Sequence, residues 1–451
     1  MSKNKISAFD EIRRNVAGID IAGHADHYIC GPRRDDGSRE TVHFGTTTSE
    51  LYKLLDWLKK RAVDSVAMES TSVYWIPVAD VLESAGIEVV LVDTREVRMV
   101  PGRKSDVKDC QWLQKLHSSG LLRGGCRPPE NIAAVRTVLR ERENMTSIRT
   151  QCIQQMQKSL DQMNIRVHHA VSDIDGKTGM AIVGAIVSGE RDPKVLAALR
   201  DPRCKKSVKQ IAEELTGTWR EEHLFNLGQA YQTLLFMNER IAEYDEKSAD
   251  MFKALADASG NEPPPPAKEK LTVKERRNLE EKCILQQFVG FDMTSITGIG
   301  YETAAIVSSE IGIDLSRFYT EKHLVSYLGL APSLGKSAGK NVRQRKRCKN
   351  TSRAGRALRM AASTLYRSDS ELGAYFRSVA RRSDRKTAVK ATARRMAQMI
   401  YRGIRYGEAY VERGAEAYEE RMRDRAVRAA YRIIKSNNIN ELELKKAFAT
   451  V

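Results

Sequence analysis

The sequence predicts an N-terminal α/β domain followed by two largely helical parts. Three observations carry that expectation. From residue 16 short apolar runs alternate first with turns and then with helical patterns, the signature of strands giving way to mixed strand and helix. Beyond "RPPE" nearly all apolar residues recur at three- or four-residue spacing. The run "NEPPPPAKEK" then breaks that spacing with prolines 263–266, which favour an extended, semi-rigid linker. The expected divisions are an extension at 1–15, an α/β domain at 16–127, a helical or coiled-coil region at 128–262, a Pro-rich linker with a lead-in helix at 263–287, a mainly α domain at 288–412 and a helical tail at 413–451.

Taken in order, "VAGIDIA", "HYICG" and "ETVHFG" read as an antiparallel meander of three strands. "TSELYKLLDWLKKRA" has helical spacing, "SVAMES" is a short buried strand, and "WIPVADVLESAG" is a helix closed by Gly86. "IEVVLVD" is a fifth strand, and "SDVKDCQWLQKLHSSG" is a helix with Ser105 as N-cap and Gly120 as terminator. This β-β-β-α-β-α-β-α order is that of a ribonuclease H-like fold, in which the first and fourth strands are neighbours in mid-sheet. In the middle region Met145, Ile148, Cys152, Met156, Leu160 and Met163 form one apolar stripe, and Leu224, Leu227, Tyr231, Leu234 and Ile241 another. Two long helices follow from these stripes, packed on each other or on a second subunit. In the last third, "ITGIGYETAAIVSSEIG" is a two-glycine turn opening a helix, of the kind that contacts phosphate in helix-hairpin-helix motifs.

Lys and Arg outnumber Asp and Glu by 75 to 58, a formal charge of +17, so a polyanion, above all nucleic acid, is the expected partner. The seven cysteines are dispersed and never form CxxC, which excludes a zinc ribbon or a disulfide framework. No stretch has the length of a membrane span and no signal-peptide core opens the chain, so a cytoplasmic protein is expected, with no membrane partner.

Four acids stand out on this topology. Asp20 lies in the first strand, Glu69 at the end of the fourth, and Asp106 and Asp109 one turn apart in the helix after the fifth. Converging carboxylates repel unless cations neutralise them, and hard oxygen ligands select Mg²⁺ or Mn²⁺. A pair of such ions can clamp the attacking and leaving oxygens of a phosphodiester displacement. Taken singly, each acid reads better as a solvated or capping residue, and Arg103 and Lys104 are an alternative neutraliser of Asp106. Neither alternative accounts for Asp20, an acid between Gly18, Ile19, Ile21 and Ala22 in a central strand. His24 and His27, in "GHADH", lack a third nitrogen or sulfur ligand and read as exposed turn histidines.

"GIDIA", "MESTSVYW" and "KSDVKD" resemble the DEDD motif of insertion sequence 110 family transposases, and "ITGIGYETAAIVSSEIG", "YLGLAPSLGKSAGK" and "RAGRALRMA" resemble that family's second domain. The resemblance implies a DNA recombinase with a RuvC-like DEDD domain, a coiled-coil region and a C-terminal transposase domain bearing a nucleophilic serine. It also implies a structured bridge RNA that pairs with target and donor DNA, and a homo-oligomer, dimer or tetramer, with a composite active site. The family serine falls on Ser337, with Ser333 as its rival. On the residues alone Ser337 reads better as a turn serine, since a free hydroxyl needs a base, cation or metal to become a nucleophile; only the resemblance favours it as the nucleophile.

Around it Lys336, Lys340, Arg343, Arg345, Lys346, Arg347, Lys349, Arg353, Arg356 and Arg359 occur without one acid, a pattern that tracks phosphates rather than solvent. Lys104, Lys390 and Arg394 extend the expected nucleic-acid surface. The preferred reading is therefore a bacterial, nucleoid-associated transposase using Mg²⁺ and Ser337. The alternatives are a metal-dependent nuclease of the Holliday-junction-resolving type, with water as nucleophile, and a non-catalytic nucleic-acid scaffold.

Overall fold

The computed structural model describes residues 11–70, 72–92, 106–122, 124–125, 128–204, 206–264, 272–332, 334–337, 340–343, 352–407 and 413–436. The chain divides into two compact units, Met1–Arg127 and Pro128–Val451.

In the first unit β1 (Val16–Asp20), β2 (His27–Arg33) and β3 (Arg39–Phe44) form the antiparallel meander. Helix α1 (Thr48–Lys59) leads to β4 (Ser65–Glu69), which returns parallel to β1, and α2 (Trp75–Ser84) leads to β5 (Glu88–Val92), parallel to β4. The sheet order is β3-β2-β1-β4-β5, so β1 and β4 are central neighbours, as the ribonuclease H-like order requires. Helix α3 (Asp106–Ser118) ends near Gly120, whose φ of +67° gives the left-handed turn that stops it, and Gly86, at +83°, follows α2 in the same way. The expected N-cap Ser105 lies outside the described residues.

Strand alternation sets the two faces of this sheet. Ala17 and Ile19 of β1 enter a core with Leu54 and Leu58 of α1 and Val78 and Leu82 of α2. Gly18 and Asp20 therefore face the other side, where α3 lies and Leu113 packs with Ala67 and Val92.

The second unit is almost wholly helical. Two long helices, α4 (Glu130–Gln162) and α9 (Glu221–Asp257), run antiparallel along each other within the chain, as the pairing of Arg142 with Asp245 and of Arg149 with Asn238 shows. The short helices α5 (Val167–Ala170), α6 (Lys177–Val187), α7 (Pro193–Ala198) and α8 (Val208–Glu214) close a small lobe around Met156, Leu160, Ile182 and Leu227 at one end of the pair. The opposite end, with Ile132, Val135, Phe252 and Leu255, enters a separate core. Between Val135 and Cys152 no residue of α4 is fully buried, and none of α9 between Leu234 and Ser248, so the pair has a thin waist where apolar residues such as Met145 and Ile241 are only half-buried.

That second core is completed by α10 (Val273–Val289), α11 (Tyr301–Ile311), α12 (Glu321–Tyr327), α13 (Arg353–Ser363), α14 (Glu371–Arg382) and α15 (Arg385–Tyr406). A two-stranded hairpin of β6 (Leu334–Ser337) and β7 (Lys340–Arg343) precedes α13, and α16 (Gly414–Ser436) follows α15. Arg136 and Arg140 of α4 grip Glu310 at the end of α11. Arg140 makes two bonds of 2.8 Å to its carboxylate, and Arg136 donates to the Ser309 and Glu310 carbonyls at 3.0 and 2.9 Å.

Candidate active site and nucleic-acid interface

The first two acids are placed by strand register. Ile19 pairs with Met68 across the parallel β1–β4 ladder, so Asp20 and Glu69, the next residue of each strand, leave the sheet side by side at the same edge. The other two open α3, at whose N-terminus a carboxylate is favoured by the helix dipole.

What brings α3 to β1 is the missing side chain of Gly18. A Cβ there would lie 2.4 Å from both the Cys110 carbonyl oxygen and the Gln114 nitrogen, and 2.9 Å from Leu113 Cβ. Polar contacts then fix the helix along its length. Gln111 donates to Thr41 at 3.2 Å, Gln114 accepts from Arg39 at 2.6 Å, and His117 Nε2 bonds Ser65 Oγ at 2.8 Å.

The consequence appears on Asp20. Burial first, and then the negative charges of Asp106, Asp109 and Glu69 in that order, push its pKa from 3.8 up to about 7. The other three acids singled out in the sequence thus all act on Asp20. The donor set, four hard carboxylates with the pKa of Asp20 raised by burial and then by its neighbours, matches the chemistry of a divalent oxygen-ligated ion, which would relieve the repulsion. Among the described residues no group of three His, Cys, Asp or Glu side chains is placed closely enough to hold a metal ion. Arg103 and Lys104, the alternative neutralisers, lie outside the described residues.

The turn after Asp20 departs from expectation. His24 is exposed as predicted, but His27 is buried, at 2% exposure, and its Nδ1 accepts the Ala22 N–H at 3.2 Å. It closes the β1–β2 turn from inside, and burial lowers its pKa. Absence of metal partners had pointed to solvent, whereas a turn N–H needing an acceptor explains the burial. Sequence reading also passed over Tyr74. Its ring covers Gly23, where a Cβ would come within 2.6 Å, and meets the His24 ring edge-on at 5.9 Å, walling the turn next to Asp20. The glycine of "AGH" was the available signal.

Ser337 is the last residue of β6, paired with Lys340 across the hairpin end, rather than part of an irregular loop. Lys336, Lys340 and Arg343 lie in the same two strands. Ser333, Arg345, Lys346, Arg347 and Lys349 lie outside the described residues, as does Lys104. Helix α13 starts where expected, with Ser352 Oγ accepting the Gly355 N–H at 3.0 Å. Arg353 and Arg356, in its first turn, both contact Glu143 of α4, Arg356 at 3.5 Å. Lys390 and Arg394 of α15 make no ion pair among the described residues. No described helix is long and apolar enough to cross a membrane.

A central β1–β4 pair carrying acids at one edge, with α3 adding two more, defines the N-terminal unit as a ribonuclease H-like domain. Two family models match the chain: one for DEDD transposases of insertion sequence IS110 over residues 17–165, and one for transposases of the IS116/IS110/IS902 family over residues 292–377. Together the two segments take in just over half of the chain, which belongs to the IS110 family of transposases and is a DNA transposase. No curated protein matches it.

Proposed function

We propose that this transposase cuts and rejoins DNA using a divalent cation, Mg²⁺ or Mn²⁺, held by Asp20, Glu69, Asp106 and Asp109, with Ser337 as nucleophile. The observation that carries the metal part is the placement of Asp20 beside Glu69 by strand register, with its pKa raised to about 7 by burial first and then by the charges of Asp106, Asp109 and Glu69. Such a cluster is stable at neutral pH when a cation offsets its repulsion. The cation, when bound, supplies charge stabilisation at the phosphodiester.

The serine role rests on the resemblance of "YLGLAPSLGKSAGK" to the family's second domain and on the match over residues 292–377. Attack of Ser337 Oγ on phosphorus would form a phosphoserine ester and release one strand's hydroxyl. A hydroxyl from another strand reverses the step and joins the new pair. Guidance by a bridge RNA is supported by the same resemblance and by the lack of a base-reading module in a chain of charge +17. The hairpin lysines and Arg343, with Arg345, Lys346, Arg347, Lys390 and Arg394, are assigned to the backbones of the nucleic acids. Arg353 and Arg356 join them once released from Glu143. A dimer or tetramer acting at the bacterial nucleoid completes the reading.

The test is denaturing electrophoresis of end-labelled target DNA incubated with Mg²⁺, guide RNA and each variant. Ser337→Ala should form no covalent adduct while retaining DNA binding, and Asp20→Ala should lose both adduct and cleavage. A normal adduct from Ser337→Ala moves the nucleophile elsewhere, Ser333 first. Cleavage by the unaltered protein without any adduct establishes the water-based nuclease instead.

A further inference from the structure

Helix α16 lies beyond residue 377, where the second family match ends, and its sequence pattern is unlike that of the core helices. Its base is anchored. Tyr418 is buried and meets the Tyr375 ring edge-on at 6.0 Å, the Ala415 N–H donates to the Asp369 carbonyl at 2.9 Å, and Arg421 pairs with Glu371, which also holds Arg395 at 2.9 Å. From Arg423 to Ile433 every residue is exposed, so the helix runs out into solvent.

Along that free stretch Arg421, Arg425, Arg428, Arg432 and Lys435 recur at spacings of four, three, four and three. At 3.6 residues per turn they fall within about 80° of the circumference and form a stripe about 21 Å long. Asp424, at the stripe's margin, is the one acid between Arg421 and Ser436, and Arg425, Arg428, Arg432 and Lys435 make no ion pair among the described residues. Like charges at i,i+3 and i,i+4 destabilise a helix, and here four consecutive such pairs are stacked. A polyanion laid along the stripe removes that cost.

We infer that the basic stripe of α16 is a nucleic-acid contact that grips the phosphate backbone of duplex DNA outside the reaction centre. Duplex DNA is the occupant because the chain is a DNA transposase and because a straight row of charges on an exposed helix suits a regular phosphate track, with no base-reading group required. The stripe covers about six base-pair steps at 3.4 Å. Arg421, already held by Glu371, serves as the fixed root, and the four residues beyond it make the contacts.

Fluorescence anisotropy of the full-length protein on a labelled random-sequence duplex, across a salt series, tests this. Replacing Arg425, Arg428 and Arg432 together with Gln should weaken binding and lower the slope of log K against log salt by about 2.7, at roughly 0.9 per lost contact. Between about 50 and 200 mM salt, wild-type affinity should then fall roughly 40-fold further than that of the variant. The same three residues changed to Lys should keep most of the slope, and Arg423→Gln, on the opposite side of the helix, should leave it unaltered. An unchanged slope in the Gln variant, with its helicity intact by circular dichroism, overturns the inference. So does an equal loss from Arg423→Gln, or a loss seen with an RNA duplex but not with DNA.

Discussion

Gly18→Ala tests the placement of the four candidate acids without touching any of them. The added methyl carbon would sit 2.4 Å from two backbone atoms of α3, where ordinary contact is 3.4–4 Å, so the helix must retreat by about 1 Å. Overpacking of this kind costs about 1–3 kcal/mol, and the upper end applies because the obstacles are the Cys110 carbonyl and the Gln114 amide rather than flexible side-chain ends. The retreat carries Asp106 and Asp109 away from Asp20. A displacement near 1 Å at a reacting centre lowers rate by about 100-fold, while DNA affinity, assigned under the proposed function to basic residues of the second unit, should hold. Urea denaturation gives the stability change, and single-turnover cleavage of end-labelled DNA in Mg²⁺ gives the rate. Wild-type stability together with a wild-type rate would refute the idea that Gly18 seats α3 on β1. Lost stability with an undiminished rate would refute the link between that seat and the acids.

Asp20→Asn should stabilise the metal-free protein in a pH-dependent way. With its folded pKa raised to about 7, Asp20 keeps a proton between about pH 4 and 7 that the unfolded chain releases, so its contribution is greatest at low pH and is lost as pH rises through 7. The full shift corresponds to about 4 kcal/mol, which screening of this half-exposed group reduces to about 1–2 kcal/mol. The variant should therefore match wild type near pH 4 and exceed it at pH 8 in chelator, and equal differences at both pH values would contradict this. His117, lowered to about 4 mainly by burial, works in the opposite sense, its contribution falling away as pH drops from 6.5 to 4, and comparing the two proteins at each pH cancels it. Added Mg²⁺ should raise the melting temperature of wild type and not of Asp20→Asn; an equal rise in both would place the ion elsewhere. Glu310→Ala should cost about 2–4 kcal/mol by leaving Arg136 and Arg140 facing a lost carboxylate, and a change under about 0.5 kcal/mol in urea melts would show that pairing to be incidental.

The α/β unit was legible because its strands are short and its helices amphipathic. The runs at 16–20, 27–33, 65–69 and 88–92 all formed strands, and strand order followed from the alternation of elements. The approach of Asp20 to Glu69 was legible for the same reason, since topology alone brings the ends of β1 and β4 together. What escaped depends on contacts between distant residues. No local pattern announces that Gly18 is a notch for α3, that His27 turns inward to accept an N–H, or that Glu143 reaches Arg353 and Arg356 some two hundred positions away. The stripes at 145–163 and 224–241 foretold long helices but left their partner open, because an apolar face specifies only that it will be covered.

The thin waist of the α4–α9 pair has a mechanical meaning. Over about 25 Å the two helices are joined by charged and amide contacts such as Arg142–Asp245 and Arg149–Asn238 and by half-buried apolar side chains such as Met145 and Ile241, with no fully buried residue between them. Stiffness along each rod remains, but with no fully buried layer between them the rods should resist sideways shear less than either core does. The pair behaves as a flexure joining two solid blocks. Heat or salt should loosen that joint before either block melts, and calorimetry of this half of the chain should resolve more than one event.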